Sequence, residues 1–153
     1  MGDSVDKMQA LESVFDERRA YWVKWTEDMS KCLKDINKII DLQGEIYARR
    51  QEAVENYHTL TNVLAKQTKA YKESYASAYS ELRPLKISQG SATFMFPTDS
   101  ALRDQIESRL SKEKYIIDLL DSQINYMDST IKTIDGIIFA ISNRIKIEEL
   151  KCK

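Results

Sequence analysis

From Ile106 onward the apolar residues of this chain recur at alternating spacings of four and three. Ile106 and Leu110 open the series, Glu113 interrupts it, and Ile117, Leu120, Ile124, Met127, Ile131, Ile134, Ile138, Ile141 and Ile145 continue it. A repeat held over about five heptads puts one apolar stripe along a helix and requires another helix to cover it. Isoleucine at both stripe positions favours more than two strands. Ile116, Leu119, Ile137 and Ile147 widen the face beside the stripe, which favours a bundle or an oligomer. Homo-oligomerisation is therefore the expected role of the seam from Ile117 to Ile145.

The first half carries a looser version of the same repeat. It reads Met29, Leu33, Ile36, Ile40, Gln43, Tyr47, Arg50, Val54, Tyr57, Thr61, Leu64, Thr68, Tyr71, Tyr75, Ala78 and Leu82. Its polar members, Gln43, Arg50, Thr61 and Thr68, predict a shallower or wetter contact after Ile40. Met8, Leu11, Phe15, Trp22 and Trp25 form a helical face ahead of it. Two candidate bends stand out. Thr26 before Glu27 and Asp28 has the chemistry of a helix cap, and Gly44 weakens a helix by about 1 kcal/mol relative to Ala.

Pro84 breaks the pattern, because proline lacks the backbone donor and clashes with the preceding turn. Leu85 to Phe96, around Gln89-Gly90-Ser91, reads as a β-hairpin or a loop. After Pro97, Thr98 or Asp99 can cap a second long helix. The expected fold is all-α: long helices forming an antiparallel helical hairpin or coiled-coil bundle, with a tip near 84–98. The whole chain, 1–153, is expected to be one helical domain, with a long helical segment over 1–83, a connector over 84–98 and an oligomerisation helix over 99–150.

Composition agrees with long helices. Of 153 residues 42% are hydrophobic and 31% charged, with only 4 Gly and 2 Pro, a balance too apolar for disorder and too poor in turn residues for a sandwich. No apolar run approaches the roughly 18 residues of a membrane span, and Met1 to Lys7 lack the pattern of a secretory signal. Cytoplasmic placement and no membrane partner are expected, with Cys32 and Cys152 as free thiols. The single histidine, His58, has no cysteine or carboxylate cluster near it, and no phosphate-binding glycine loop or nucleophile elbow occurs. No catalytic residue, metal site or cofactor is therefore expected.

The formal charge is −1, but it is unevenly spread. Residues 56–98 hold five bases (Lys66, Lys69, Lys72, Arg83 and Lys86) against two acids, Glu73 and Glu81. Tyr71, Tyr75 and Tyr79 are interleaved with them. Cations that neutralise phosphate beside rings that stack on bases suit single-stranded nucleic acid. Lys66, Lys69, Lys72, Arg83, Lys86, Tyr71 and Tyr75 are the candidate DNA-binding residues. Core packing of the tyrosines beneath solvated lysines explains the same pattern. Arg18-Arg19, Arg49-Arg50 and Arg144 with Lys146 are weaker basic pairs, which an oligomer would multiply. An adaptor coiled coil that docks a protein, or a helical module for an anionic membrane surface, fits the same composition.

The C-terminal third resembles the UvsY family of recombination mediators of T-even-like phages. The resemblance spans roughly residues 113–151. It is carried by Tyr115-Ile116-Ile117-Asp118-Leu119-Leu120, by Ile124-Asn125-Tyr126-Met127, and by Ile137 through Ile147 with Ile141-Ser142-Asn143-Arg144 at its middle. It implies a small helical protein that forms a ring through its C-terminal helices. Such a protein binds single-stranded DNA, contacts a RecA-like recombinase and a single-strand-binding protein, and helps to load the recombinase. The compartment would be the host cytoplasm for a phage-encoded chain. Family members place basic residues before an aromatic pair and a Ser-Gly turn. Lys66, Lys69 and Lys72 occupy the comparable stretch before Tyr75 and Tyr79, while the Ser-Gly turn is missing here.

Overall fold

The computed structural model describes residues 2–88 and 98–153, the side chains of 2–4 and 84–88 excepted. Four helices follow in order: α1 (Gly2–Cys32), α2 (Ile36–Ser88), α3 (Asp99–Arg109) and α4 (Ser111–Lys151). No strand occurs among the described residues. The long helices pack together, mainly α2 against α4, as an all-α bundle. The chain forms two compact units. One holds the residues up to Thr61 together with Ser122–Lys153, and the other holds Asn62–Asp121.

The breaks between helices have local causes. At the first, α1 closes at Cys32 and the chain turns through Leu33 and Lys34. Asp35 then caps α2: its Oδ1 accepts from the Asn37 amide at 3.0 Å, and its carbonyl accepts from the Ile39 amide at 3.1 Å. Such a cap contributes about 1 kcal/mol. Neither Thr26 nor Gly44 starts a fresh helix. Thr26 lies within α1, and its hydroxyl donates back to the carbonyls of Trp22 and Val23 at 2.9 and 3.0 Å. Gly44 lies within α2. Pro84 does not stop α2 either: the helix continues to Ser88. A proline removes one backbone donor, and a helix can lose that bond and go on. Leu85 to Ser88 therefore belong to α2, and the rest of the expected tip, through Phe96, lies outside the described residues.

The second long helix is interrupted at Leu110. Its amide still donates to the Ile106 carbonyl at 2.9 Å and its carbonyl accepts from Lys114 at 3.0 Å, but its backbone leaves the helical region at φ −100°, ψ 16°. The one miss in the C-terminal seam, Glu113, follows directly and is exposed. Thr98 caps α3 through its hydroxyl, which accepts from the Ala101 amide at 3.3 Å.

In the first unit three helices close one core. From α1 come Phe15, Trp22 and Met29, seven apart, with Trp25 beside them. From α2 come Ile39, Ile46, Ala53 and Leu60, also seven apart. From α4 come Ile124, Met127, Ile134, Ile137 and Ile141. Each large side chain buried in this way stabilises by about 1.5–3 kcal/mol. Arg19 fastens α1 to α4. Its Nε donates to Gln123 Oε1 at 2.8 Å and its Nη2 to Ser122 Oγ at 3.1 Å, while Tyr126 OH donates to the Arg19 carbonyl at 3.1 Å. Arg50 of α2 pairs with Asp135 of α4. Gln43 and Tyr47 line one small cavity with Ile138 and Ser142, so α2 and α4 run antiparallel here.

The buried positions correct the phase of the α2 seam. Ile36, Gln43, Arg50 and Tyr57 are half-buried as expected, but their partners are Ile39, Ile46, Ala53 and Leu60, one residue earlier than Ile40, Tyr47, Val54 and Thr61. Ile40 is 57% exposed and Tyr47 54%. From Leu64 to Leu82 the expected phase holds. The two stretches join through the spacings three, four and four of Tyr57, Leu60, Leu64 and Thr68, an eleven-residue step within a seven-residue repeat.

In the second unit Ala78 of α2 and Leu102, Ile106 and Leu110 form the core. Tyr71, Tyr75, Tyr79 and Leu82 pack against it. Glu81 and Arg109 close its edge at 2.9 Å.

Two measurements check this packing. By chemical denaturation, Ile39→Ala is expected to cost about 2–5 kcal/mol, and Ile40→Ala no more than about 0.5 kcal/mol. A Cβ at Gly44 meets no atom within 4 Å, so Gly44→Ala is expected to stabilise the chain by about 0.5–1 kcal/mol.

Candidate nucleic-acid interface

The basic, tyrosine-rich part of α2 lies in the second unit, and the helix sorts its residues by direction. At about 100° per residue, Tyr71, Tyr75, Ala78 and Leu82 share the side that packs on α3. Lys66 and Lys69 fall on the other side, and Lys72 and Arg83 project together on its flank, near the direction of Tyr79. Lys66, Lys69, Lys72 and Arg83 are exposed, whereas Tyr71, Tyr75 and Tyr79 are half-buried. The structure thus brings the four cations onto solvent and turns the tyrosines toward the core. Lys86 belongs to the last turn of α2, where side chains are not described.

The cations differ in how far they are engaged. Lys69 is 3.9 Å from Glu73 across one helical turn, with its side chain 79% exposed. A pair that open to water is worth little. The Arg83 guanidinium lies 5.7 Å from the centre of the Tyr79 ring, a cation–π contact that holds its charge beside the helix. Tyr71 and Tyr75 stand with ring centres 6.3 Å apart. Among the described residues Lys66 and Lys72 make no ion pair, and Glu81 is engaged by Arg109. The row therefore presents positive charge with weak internal compensation.

The other basic pairs are largely committed to structure. Arg19 holds α4 through Gln123 and Ser122, with its guanidinium 5.4 Å from the Tyr126 ring centre. Arg49 pairs with Glu52 at 2.7 Å and lies 5.8 Å from the Tyr21 ring centre. That hydrogen bond to Glu52 raises the Arg49 pKa further, and the hydrogen bond to Asp135 does the same for Arg50. Arg144 faces Glu148 at 3.5 Å. Arg18 and Lys146 are exposed. Charge alone could not separate these pairs from the α2 row, because their partners lie elsewhere in the fold or a turn away on their own helix.

The seam expected to join copies of the chain is covered within one copy. Leu120, Ile124, Met127, Ile134 and Ile141 are buried, and Ile117, Ile131, Ile138 and Ile145 are half-buried. A three-four repeat records that a face is covered, not which chain covers it. In the stretch from Ile124 to Ile141 the cover is α1 and the first half of α2. The apolar side chains of α4 that stay most open, Phe139 at 68% and Leu150 at 71%, lie outside that seam, and its spacing does not reach them.

His58 is exposed and meets only the edge of Tyr57 among aromatic rings. Cys32 and Cys152 are free thiols. Among the described residues no group of three or more ligating side chains is placed to hold a metal ion, and no helix is long and apolar enough to cross a membrane. No protein-family model, curated protein or solved structure matches the chain.

Proposed function

We propose that this chain is an oligomeric recombination mediator that binds single-stranded DNA along the outer row of α2 and helps to load a RecA-like recombinase onto strand held by a single-strand-binding protein. The observation that carries the reading is the row itself: Lys66, Lys69, Lys72 and Arg83 stand on solvent with few competing carboxylates. The resemblance of residues 113–151 to the UvsY family supplies the biological setting.

In this reading the two residue types play unequal parts. The lysines reach phosphates, and each neutralised phosphate releases a counterion, so affinity is salt-dependent. The tyrosines, half-buried against Leu102, Ile106 and Leu110, chiefly hold the row in place. Little base preference follows, which suits a protein that must accept any sequence. Each site is weak, and copies linked in one particle add their contacts. A strand held by many weak sites can be handed over stepwise as recombinase displaces them.

Titrating the chain with a labelled single-stranded oligonucleotide over a range of salt tests this. Affinity is expected to fall steeply with salt. The triple variant Lys66→Ala/Lys69→Ala/Lys72→Ala is expected to lower the log–log slope by about 2, at about 0.7 per phosphate for single strands. Tyr75→Phe is expected to leave affinity unchanged. Undetectable binding, or binding indifferent to salt, contradicts the reading.

A further inference from the structure

On α2, Lys72 and Arg83 lie eleven residues apart, and Arg103 of α3 and Lys114 of α4 repeat that spacing. Eleven residues make close to three turns, so each pair shares one direction, with its members roughly 16 Å apart along the helix. The direction carries across the α3–α4 break, because the Leu110 amide donates to the Ile106 carbonyl and the Lys114 amide to the Leu110 carbonyl, each four residues back. In this unit α2 runs antiparallel to α3 and α4: Glu81 meets Arg109, and Tyr71, ten residues earlier, lines a groove with Lys114 and Asp118. In that register Arg83 is level with Arg103, and Lys72 with Lys114.

The four positions frame one side of the unit. On this side a groove of about 340 Å³ runs along Tyr71, Glu107, Ser111 and Lys114. Glu73, Glu81, Arg109 and Glu113 line the groove on the other side. Lys72, Arg83 and Arg103 are exposed and make no ion pair among the described residues, and the Arg83 guanidinium is held over the Tyr79 ring. Lys114 is paired with Asp118 at 3.1 Å, so three corners of the frame carry uncommitted charge. Between its corners α2 offers the small Ala76. Glu107 is the one carboxylate of this groove outside an ion pair among the described residues.

We infer that single-stranded DNA lies in this framed groove, held from both walls, with Arg103 of α3 contacting phosphate opposite Arg83. The inference rests on the reading of the α2 row as DNA-binding and adds a second wall to it. A guanidinium offers phosphate a fork of two donors where an ammonium offers a point charge, and at Arg83 and Arg103 two such forks face one strand. Glu107 repels the same phosphates and keeps the site weak, which suits a strand that must be given up. The groove on the other side, with three carboxylates and one arginine along it, repels a polyanion.

Titration of the full chain and four single variants with labelled oligothymidine, over a range of salt, tests this. Arg103, Glu107 and Glu113 are exposed, and circular dichroism checks that every variant keeps the wild-type helix content. Arg103→Ala is expected to weaken binding and to lower the log–log salt slope by about 0.7, one phosphate contact on a single strand. Arg103→Lys keeps the charge and is expected to keep the slope. Glu107→Gln is expected to tighten binding severalfold. Glu113→Gln makes the same change of charge in the groove on the other side, and is expected to leave affinity unchanged, since exposed charges more than about 8 Å apart are largely screened at physiological salt. Two results overturn the inference while the wild type binds in a salt-dependent way: an Arg103→Ala slope equal to the wild type, or Glu107→Gln no tighter than Glu113→Gln. In either case the Lys66/Lys69/Lys72 variant still reads the α2 row, and its weakened binding leaves the DNA reading standing. A wild type that binds no oligonucleotide removes both.

Discussion

The face of α4 between Ile124 and Ile141 organises the larger unit. Its buried positions include Ile124, Met127, Thr130, Ile134, Ile137 and Ile141, preceded by Gln123. They span more of the helix surface than a two-stranded seam does, because Gln123, Thr130 and Ile137 repeat every seven residues beside the main stripe. A face that wide needs two covering helices. α1 supplies Phe15, Trp22, Trp25 and Met29, and α2 supplies Ile39, Ile46, Ala53 and Leu60. Removing this apolar surface from water is the main favourable term in holding the three helices together.

Polar groups within that face set which helix lies where. Gln123 is fully buried and accepts from Arg19, while its Nε2 has no partner among the described residues. Thr130 satisfies itself by donating to the Tyr126 carbonyl at 3.0 Å. A buried amide with one bond made and one unmade is costly in any arrangement that loses the made bond. The Arg19 contact therefore discriminates against α1 sliding along α4. The arginines of the first unit are used in the same way: Arg19, Arg49, Arg50 and Arg144 each have an internal partner.

Much of this was legible in the chain, for reasons that can be named. The α4 seam was readable because isoleucines fill nearly every stripe position from Ile117 to Ile145, leaving one phase. The phase of α2 was not. Ile39 and Ile40 are adjacent and equally apolar, and the correct choice depends on the eleven-residue step between Tyr57 and Thr68, which no single residue announces. Asp35 carried a readable cap, but Thr26-Glu27-Asp28 is the more conspicuous pattern of the same kind. The exposure of Lys66, Lys69 and Lys72 followed from helical direction alone. The half-burial of Tyr71 and Tyr75 followed from their places in the α2 repeat, but that α3 is the helix lying against them did not. Phe139, Ile147 and Leu150 are masked in the sequence by the stronger stripe on the opposite side of the same helix.

Hydrogen exchange on a dilute sample tests most directly whether the chain covers its own α4 seam. At a concentration where sedimentation shows only single chains, the amides of Ile124 to Ile141 are expected to be among the slowest to exchange. Trp22, fully buried, is expected to emit as a tryptophan shielded from water under the same conditions. Fast exchange across Ile124 to Ile141 in single chains, with protection appearing only as copies associate, would show that the seam is closed between chains and not within one.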